Sequence, residues 1–379
     1  MFEAVTRREY ALKRQLRSIQ TLNTRTVAKA LNETASIAAN YDATEFLSAL
    51  PSTPFIQLAL LDPPYNRRTK FHHYSDSATP GTWIADRLAH LSLIKDRLLE
   101  TGSVWIHLDD SEAHLAKTNF DKLFGRANFV ATIVWQKTVS RDNRTAISTS
   151  HEYILVYAKD KKTFLRHRNK IKAQDDRRGR YSNPDDDPRG PWTSGDLTAK
   201  AGPGRRSAQF YSVITPSGRE VRPSPGTAWR FTRERLDELI ADNRVYFGSG
   251  NTMPRLKRFL AETGEGLVPS TWWPAEEVGS MDTAKRDLKN LFPHMVPFET
   301  PKPWGLTERV LQIASNPGDY VVDVYGGSGT TAAVAESMGR LWLTCEREAR
   351  TFDEFLRPRL HRQIRTTNSD SRRYLFIVK

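Results

Sequence analysis

Apolar positions along this chain gather in short solid blocks separated by polar, turn-rich stretches. Within residues 1–50, Leu12, Leu16 and Ile19 are spaced to share one helical face, and IAANYDATEFLSAL continues that pattern, so the first 50 residues read mostly as helix. The block PFIQLALL is apolar on both faces, which predicts a buried strand. TWIADRLAHLSLIKDRLL has helical periodicity over roughly 82–99, closed by Thr101-Gly102. SVWIHLDD predicts a second buried strand, 111–123 a helix, and NFVATIVWQ and EYILVYAKD two more strands joined by a polar loop from Lys137 to His151.

From about 160 to 290 the periodicity weakens. Proline, glycine, arginine and tryptophan become common, and NPDDDPRGPWTSGD and RPSPGTAW are turn-rich. Trp192, Trp229, Trp272 and Trp273 argue for a packed second domain rather than a disordered linker. Order returns with the helix LTERVLQIAS and the turn NPGD. YVVDVYGGSGTTAAVAESMGRLWLTCERE then reads strand, glycine loop, helix, strand, and the basic helix TFDEFLRPRLHRQI leads to a short terminal strand. The expected segments are 1–50, 51–160, 161–290 and 291–379: an N-terminal helical piece, two halves of an α/β domain, and an inserted domain before the last half.

Composition sharpens this picture in two places. The net charge of +13 is uneven: residues 1–160 carry about +3, 161–260 about +11 and 261–379 about −1. A basic middle between nearly neutral ends suits a module facing a polyanion. The one cysteine, Cys345, rules out a disulfide framework or a cysteine zinc site and fits a reducing cytoplasm. No apolar window approaches the ~18 residues of a membrane span, the charged N-terminus is unlike a secretory signal, and His72, His73, His107 and His114 lack a metal-ligand spacing.

The glycine loop has a specific logic. Val321 and Val322 lead to Asp323, and Gly326, Gly327 and Gly329 let the backbone turn sharply and approach a ligand. The helix starting near Thr330 points free amides at whatever lies there. About 20 residues on, the next strand ends at Glu346, where an acid can hold both hydroxyls of a ribose. The spacing is neither the dinucleotide fingerprint nor a P-loop, so the unit reads as a nucleoside-cofactor site.

Asp62-Pro63-Pro64-Tyr65 follows a buried strand at the edge where open α/β sheets bind ligands. Two prolines fix the backbone and remove two N–H donors. What remains is a stiff turn of acceptors, the Asp62 carboxylate and the Pro63 carbonyl, beside the flat face of Tyr65. That set suits an exocyclic amino group on a base. Acceptors on its two hydrogens localise the nitrogen lone pair for attack on the methyl of S-adenosylmethionine, and Tyr65 stacks on the base for ~1–3 kcal/mol.

These residues resemble a known family. Asp62-Pro63-Pro64-Tyr65 matches the catalytic motif of the DNA amino-methyltransferases, and DVYGGSGTT, with Asp323, Tyr325, Gly326, Gly327, Ser328, Gly329, Thr330 and Thr331, resembles their cofactor loop. TPKPWGLTERVLQIA, with Thr300, Lys302 and Pro303, resembles the segment that closes over the methionine end of the cofactor. The order, catalytic motif first and cofactor loop last, is that of the β-class, and DPPYN…FHHYSD, WIHLDD, FGRANFVATIVWQK, HEYILVYAKD, GPWTSGDL and TWWPAEEVGSMDTAKRDLKNLF resemble modification subunits of type III restriction systems. The likeness covers roughly 55–350. Tyr325-Gly326 stands where the family more often has phenylalanine-alanine, the chain is shorter than type III modification subunits, and the first 50 residues match poorly.

The resemblance implies an α/β, Rossmann-like S-adenosylmethionine-dependent methyltransferase fold, circularly permuted, with an inserted target-recognition domain. It implies methylation of adenine N6 in double-stranded DNA. N4-cytosine transfer and a catalytically silent DNA-binding protein stay open, as does an RNA substrate. Flipping the base costs a few kcal/mol, and Lys161, Lys162, Arg166, Arg168, Arg205, Arg206, Arg255 and Lys257 are the expected phosphate contacts. A second copy of the chain and a restriction subunit are open as protein partners. No metal and no membrane enter this reading, and the expected location is the nucleoid in the cytoplasm.

Overall fold

The computed structural model describes residues 16–19, 21–67, 69–70, 75–76, 79–171, 181–201, 207–248, 252–262, 266–296, 298–367 and 372–378. They form two compact units, one of residues 1–169 with 269–379 and one of residues 170–268.

The larger unit is built on a ten-stranded sheet. Its strands are β1 (Leu16–Ile19), β2 (Ala35–Ala39), β3 (Ile56–Leu61), β4 (Leu98–Leu108), β5 (Phe129–Gln136), β6 (His151–Ala158), β7 (Trp272–Trp273), β8 (Tyr320–Asp323), β9 (Leu341–Cys345) and β10 (Arg373–Ile377). Their spatial order is β1-β10-β2-β9-β8-β3-β4-β6-β5-β7. All neighbours run parallel except around β6, which is antiparallel to β4 and to β5. Central strands are buried along nearly their whole length, because helices cover both faces. Thr24–Asn32, Ala43–Ala49, Pro80–Arg97 and Ala113–Phe124 pack in series, and so do Ala275–Val278, Trp304–Ala314, Thr330–Ser337 and Arg357–Thr367.

Sheet topology explains the placement of the site. β3 and β8 are adjacent and parallel, with Val322 opposite Ala59, so their carboxyl ends, Asp62 and Asp323, leave the same edge. β6 runs the other way, with Tyr153 opposite Leu108, so its first residues start at that edge too.

Two expectations are corrected. The first 50 residues are not a helical appendage: Leu16–Ile19 and Ala35–Ala39 are sheet strands, and β2 lies between β9 and β10 with every residue buried. A short run of small apolar residues fits a buried strand or a buried helix equally by periodicity. Leu12 lies outside the described residues. The second unit is also narrower than 161–290: Lys161–His167 packs on β4 and β6, and Trp272–Trp273 pairs with β5.

Residues 170–268 hold a three-stranded antiparallel sheet (Val245–Tyr246, Arg255–Phe259, Trp192–Asp196), two smaller strand pairs and the helix Arg233–Ala241. Leu197, Val213, Val221, Trp229, Leu236, Leu239 and Val245 form its core.

Candidate active site

Strand β3 delivers Asp62 to the sheet edge, and Pro63 and Pro64 stop the ladder there. Asn66 then takes a left-handed conformation (φ 60°), which asparagine tolerates and a branched residue does not, and its Nδ2 donates to Glu112 Oε1 at 2.7 Å. Trp83 Nε1 donates to the Pro64 carbonyl at 2.6 Å. The Pro63 carbonyl has no hydrogen bond among the described residues, so it remains an available acceptor.

The Tyr65 hydroxyl has two acceptors, Asp62 Oδ1 at 2.8 Å and Glu152 Oε2 at 3.1 Å. Burial, then the charges of Asp62 and Glu152, push its pKa far up, so it stays a donor. Lys302 Nζ is 2.7 Å from Asp62 Oδ2 and 3.8 Å from Glu152 Oε2. The resemblance implied a cofactor contact for Lys302; it lines the cleft, and its ammonium sits on the Asp62 carboxylate. Arg67 spans Asp109 Oδ2 (2.5 Å) and Glu152 Oε1 (3.0 Å), and Lys137 Nζ lies 3.3 Å from Glu152 Oε1. Burial alone would raise the Glu152 pKa, but Lys302, Lys137 and Arg67 outweigh it and hold the group below the ordinary carboxylate value.

The second wall is the glycine loop. Asp323 ends β8, accepts from the Tyr325 amide at 3.0 Å and is pushed up to about 7 by burial. A Cβ on Gly326 would lie 2.8 Å from Thr344 Oγ1 and 3.0 Å from the Cys345 carbonyl, so only glycine fits there. Gly327 (φ 47°) and Gly329 (φ 77°) turn the chain into the helix Thr330–Ser337. The Gly327 amide donates to Glu346 Oε2 at 2.9 Å and the Glu348 amide to Oε1 at 2.8 Å, while burial raises the Glu346 pKa. Tyr325 is fixed through its hydroxyl, 2.7 Å from His90 Nδ1, whose other nitrogen is 2.9 Å from Thr44 Oγ1. Burial and the neighbouring Arg87 lower His90 to about 4, leaving it neutral. Arg359 braces the loop from behind, 2.8 Å from Thr330 Oγ1.

Both walls line one cleft. Asp62, Pro63, Pro64 and Tyr65 face it together with Thr300, Lys302, Asp323, Tyr325, Gly326, Gly327, Ser328, Thr330, Thr331 and Glu346. Gly329 and Pro303 are not among its lining residues: Gly329 caps the helix Thr330–Ser337, and Pro303 caps Trp304–Ala314. Glu152, Arg67, Arg87, His90 and Asp42 are among the lining residues that the expected site residues did not include. Glu152 left a trace in the sequence, as the acid in the otherwise apolar stretch EYILVYA.

The residues fit a nucleoside sulfonium cofactor. A Cβ on Gly327 would come 3.3 Å from the Phe298 ring, so the glycine keeps open a cradle that a side chain would fill. Arg87 presents Nε and Nη1 buried in this cleft with no hydrogen-bond partner among the described residues, ready for acceptors that a ligand brings. Cys345 is packed, with Sγ 3.5 Å from the Val324 carbonyl and its thiol pKa raised by burial, so it is no nucleophile.

The expected phosphate contacts divide. Lys162 and Arg166 are exposed, whereas Lys161 Nζ is bonded to the Phe129 carbonyl at 2.7 Å and Arg168 is half-buried. Arg255 pairs with Asp196 at 2.6 Å but keeps 43% exposure. Arg205 and Arg206 lie outside the described residues. Lys257 is a correction: its side chain is 0% exposed, ion-paired to Asp185 and, at 2.9 Å, to Asp187, so no ammonium is left for a phosphate.

Comparison with known proteins finds relatives along most of the chain. The chain is 29% identical over 308 residues to the Type III restriction-modification enzyme StyLTI Mod subunit of Salmonella typhimurium, covering 73% of this chain and 46% of that one. It is 27% identical over 295 residues to the Type II methyltransferase M.EcaI of Enterobacter cloacae, covering 76% and 61%. The chain thus spans about half the length of the curated relatives it matches. Among solved structures, PvuII DNA methyltransferase, cytosine-N4-specific, aligns with a TM-score of 0.47 and 12% identity over 90% of this chain and 95% of that one. A family model described as DNA methylase, of the N6/N4 type, matches residues 56–357, and the chain belongs to that family.

Proposed function

We propose that this protein methylates the N6 amino group of an adenine rotated out of duplex DNA, using S-adenosylmethionine. The observation that carries this reading is the single cleft in which Asp62 to Tyr65 face Asp323, Gly327 and Glu346, groups about 260 positions apart in sequence. Bound there, the cofactor supplies an electrophilic methyl. Glu346 would hold its ribose hydroxyls and the amides of the glycine loop its polar end.

The chain's own residues do the rest. Asp62 has one oxygen on Tyr65 and one on Lys302; a carboxylate has about four lone-pair sites, so each oxygen can accept one more bond. One amine hydrogen goes to Asp62 and the other to the Pro63 carbonyl, which localises the nitrogen lone pair. Tyr65 stacks on the base, and Asp62 is the acceptor placed for the proton that the methylated nitrogen sheds. Aspartate at the first motif position favours adenine over cytosine.

The Mod-subunit relative supports pairing with a restriction subunit, and the Type II relative supports solitary action. Sequencing that detects modified bases, in DNA from cells expressing the chain, tests the proposal. N6-methyladenine at a defined site is expected. N4-methylcytosine would reassign the base, and unmodified DNA would overturn the function.

A further inference from the structure

Glu152 lies outside the catalytic and cofactor motifs, yet it lines the cleft and meets Tyr65, Arg67 and Lys302 there. It sits at the start of β6, where that strand opens onto the ligand edge, and its side chain is 2% exposed. Oε2 accepts from the Tyr65 hydroxyl, Oε1 meets Arg67 and Lys137, and Lys302 lies 3.8 Å away. Resting on the methyl-transfer reading above, we propose that Glu152 is the positioning residue that fixes the plane of the Tyr65 ring, and through it the seat of the target base.

The argument is geometric. A phenolic O–H lies in the plane of its ring. The one Tyr65 O–H has two acceptors in reach, Asp62 Oδ1 at 2.8 Å and Glu152 Oε2 at 3.1 Å, so both bear on the plane the ring takes. Without Glu152, Asp62 is the one of these two acceptors left to it. The cations Arg67 and Lys302, 5.0 and 5.2 Å from the ring centre, are shared between Glu152 and other acids: Arg67 bridges Glu152 and Asp109, and Lys302 is bonded to Asp62 with Glu152 at 3.8 Å, so Glu152 links the ring to its charged neighbours. A base stacked on a fixed ring presents its amine to Asp62 in one orientation, and the rate of transfer depends steeply on that orientation. Packing alone does not require this acid: an apolar residue at a buried strand position is usually no less stable than an ion cluster. An apolar side chain cannot accept the tyrosine O–H.

The test is Glu152→Met in the full chain, alone and combined with Tyr65→Phe, with kcat, cofactor affinity and Tm measured on each; methionine removes the acceptor, whereas Arg67 and Lys302 keep Asp109 and Asp62 as partners. The inference expects Glu152→Met to lower kcat by about 10- to 100-fold with cofactor affinity unchanged. Tyr65→Phe should lower kcat comparably, and adding Glu152→Met to it should cost nothing more, because the hydroxyl that links the two is gone. A merely structural role would lower Tm and cofactor affinity with kcat, and would persist in the Tyr65→Phe background; either result overturns the inference. A Tyr65→Phe enzyme as fast as the unsubstituted protein overturns it too, whether or not the Glu152 variant folds. Methyl transfer by the unsubstituted protein in the same assay keeps the two claims apart: its absence sinks the function, and its presence with an unaffected Glu152→Met sinks only the positioning role.

Discussion

Replacing Lys257 by methionine separates a structural cation from a phosphate contact. Its ammonium is fully buried between Asp185 and Asp187, and Asp187 is itself 0% exposed. Hydrogen bonds from Arg189, first, and from Lys257 hold the Asp187 carboxyl well below the usual range, which marks it as charged. Arg189 still pairs with Asp187 when Lys257 is gone, so the loss is that of a charge-assisted hydrogen bond, about 1.5–3 kcal/mol. Unit 170–268 has about 100 residues. Domains of that size have roughly 5–15 kcal/mol of stability and shift Tm by ~4–8 °C per kcal/mol, so the variant should melt roughly 6–24 °C lower in this unit. Hydrogen exchange read by mass spectrometry should show lost protection in the paired strands Trp192–Asp196 and Arg255–Phe259, with the ten-stranded sheet unaffected. A phosphate contact would behave differently: stability would hold, and the salt dependence of DNA binding would fall by about one unit of slope. Unchanged exchange together with that lower slope would refute the assignment.

Two further outcomes follow from the same geometry. Glu346→Ala removes the acceptor of the Gly327 and Glu348 amides as well as the proposed ribose contact, and charged hydrogen bonds of this kind carry about 1.5–3 kcal/mol each, so titration calorimetry should show cofactor affinity at least about tenfold weaker; unchanged affinity would remove the ribose role. His107 is lowered to about 4 by burial, then by Lys302, whereas an unfolded histidine titrates near ~6.5. Between those values the unfolded chain binds a proton that the folded chain does not, so stability falls as pH drops through that window. His107→Leu should flatten this loss in melts at pH 7 and pH 5, and an identical pH slope would contradict it.

How much of this was legible beforehand varied with chemistry. β3, β8 and the helix Thr330–Ser337 were readable because each pairs an apolar block with a residue that ends it for a reason: two prolines in one case, glycines in the other. β2 was not, because ASIAA carries no period that separates helix from strand, and only its neighbours β9 and β10 decide the matter. Lys257 looked like part of a basic surface in MPRLKRF. Strand parity turns it inward, and its acids lie 70 and 72 positions away, beyond any local pattern. Glu152 was visible as a lone acid in a buried strand, but its four partners come from three segments that only the folded sheet brings together. The same holds for Lys302, whose motif placed it in the cleft but not on Asp62.

The central claim is that Asp62 activates an amine in the cleft that the glycine loop completes. Transfer of a radiolabelled methyl group to duplex DNA, measured for the unsubstituted protein and for Asp62→Ala with cofactor affinity determined on both, tests it most directly. The account predicts incorporation by the first, a loss of about 100-fold or more in the second, and similar affinities. Incorporation by Asp62→Ala at the unsubstituted rate, or equal loss of transfer and of cofactor binding, would contradict it.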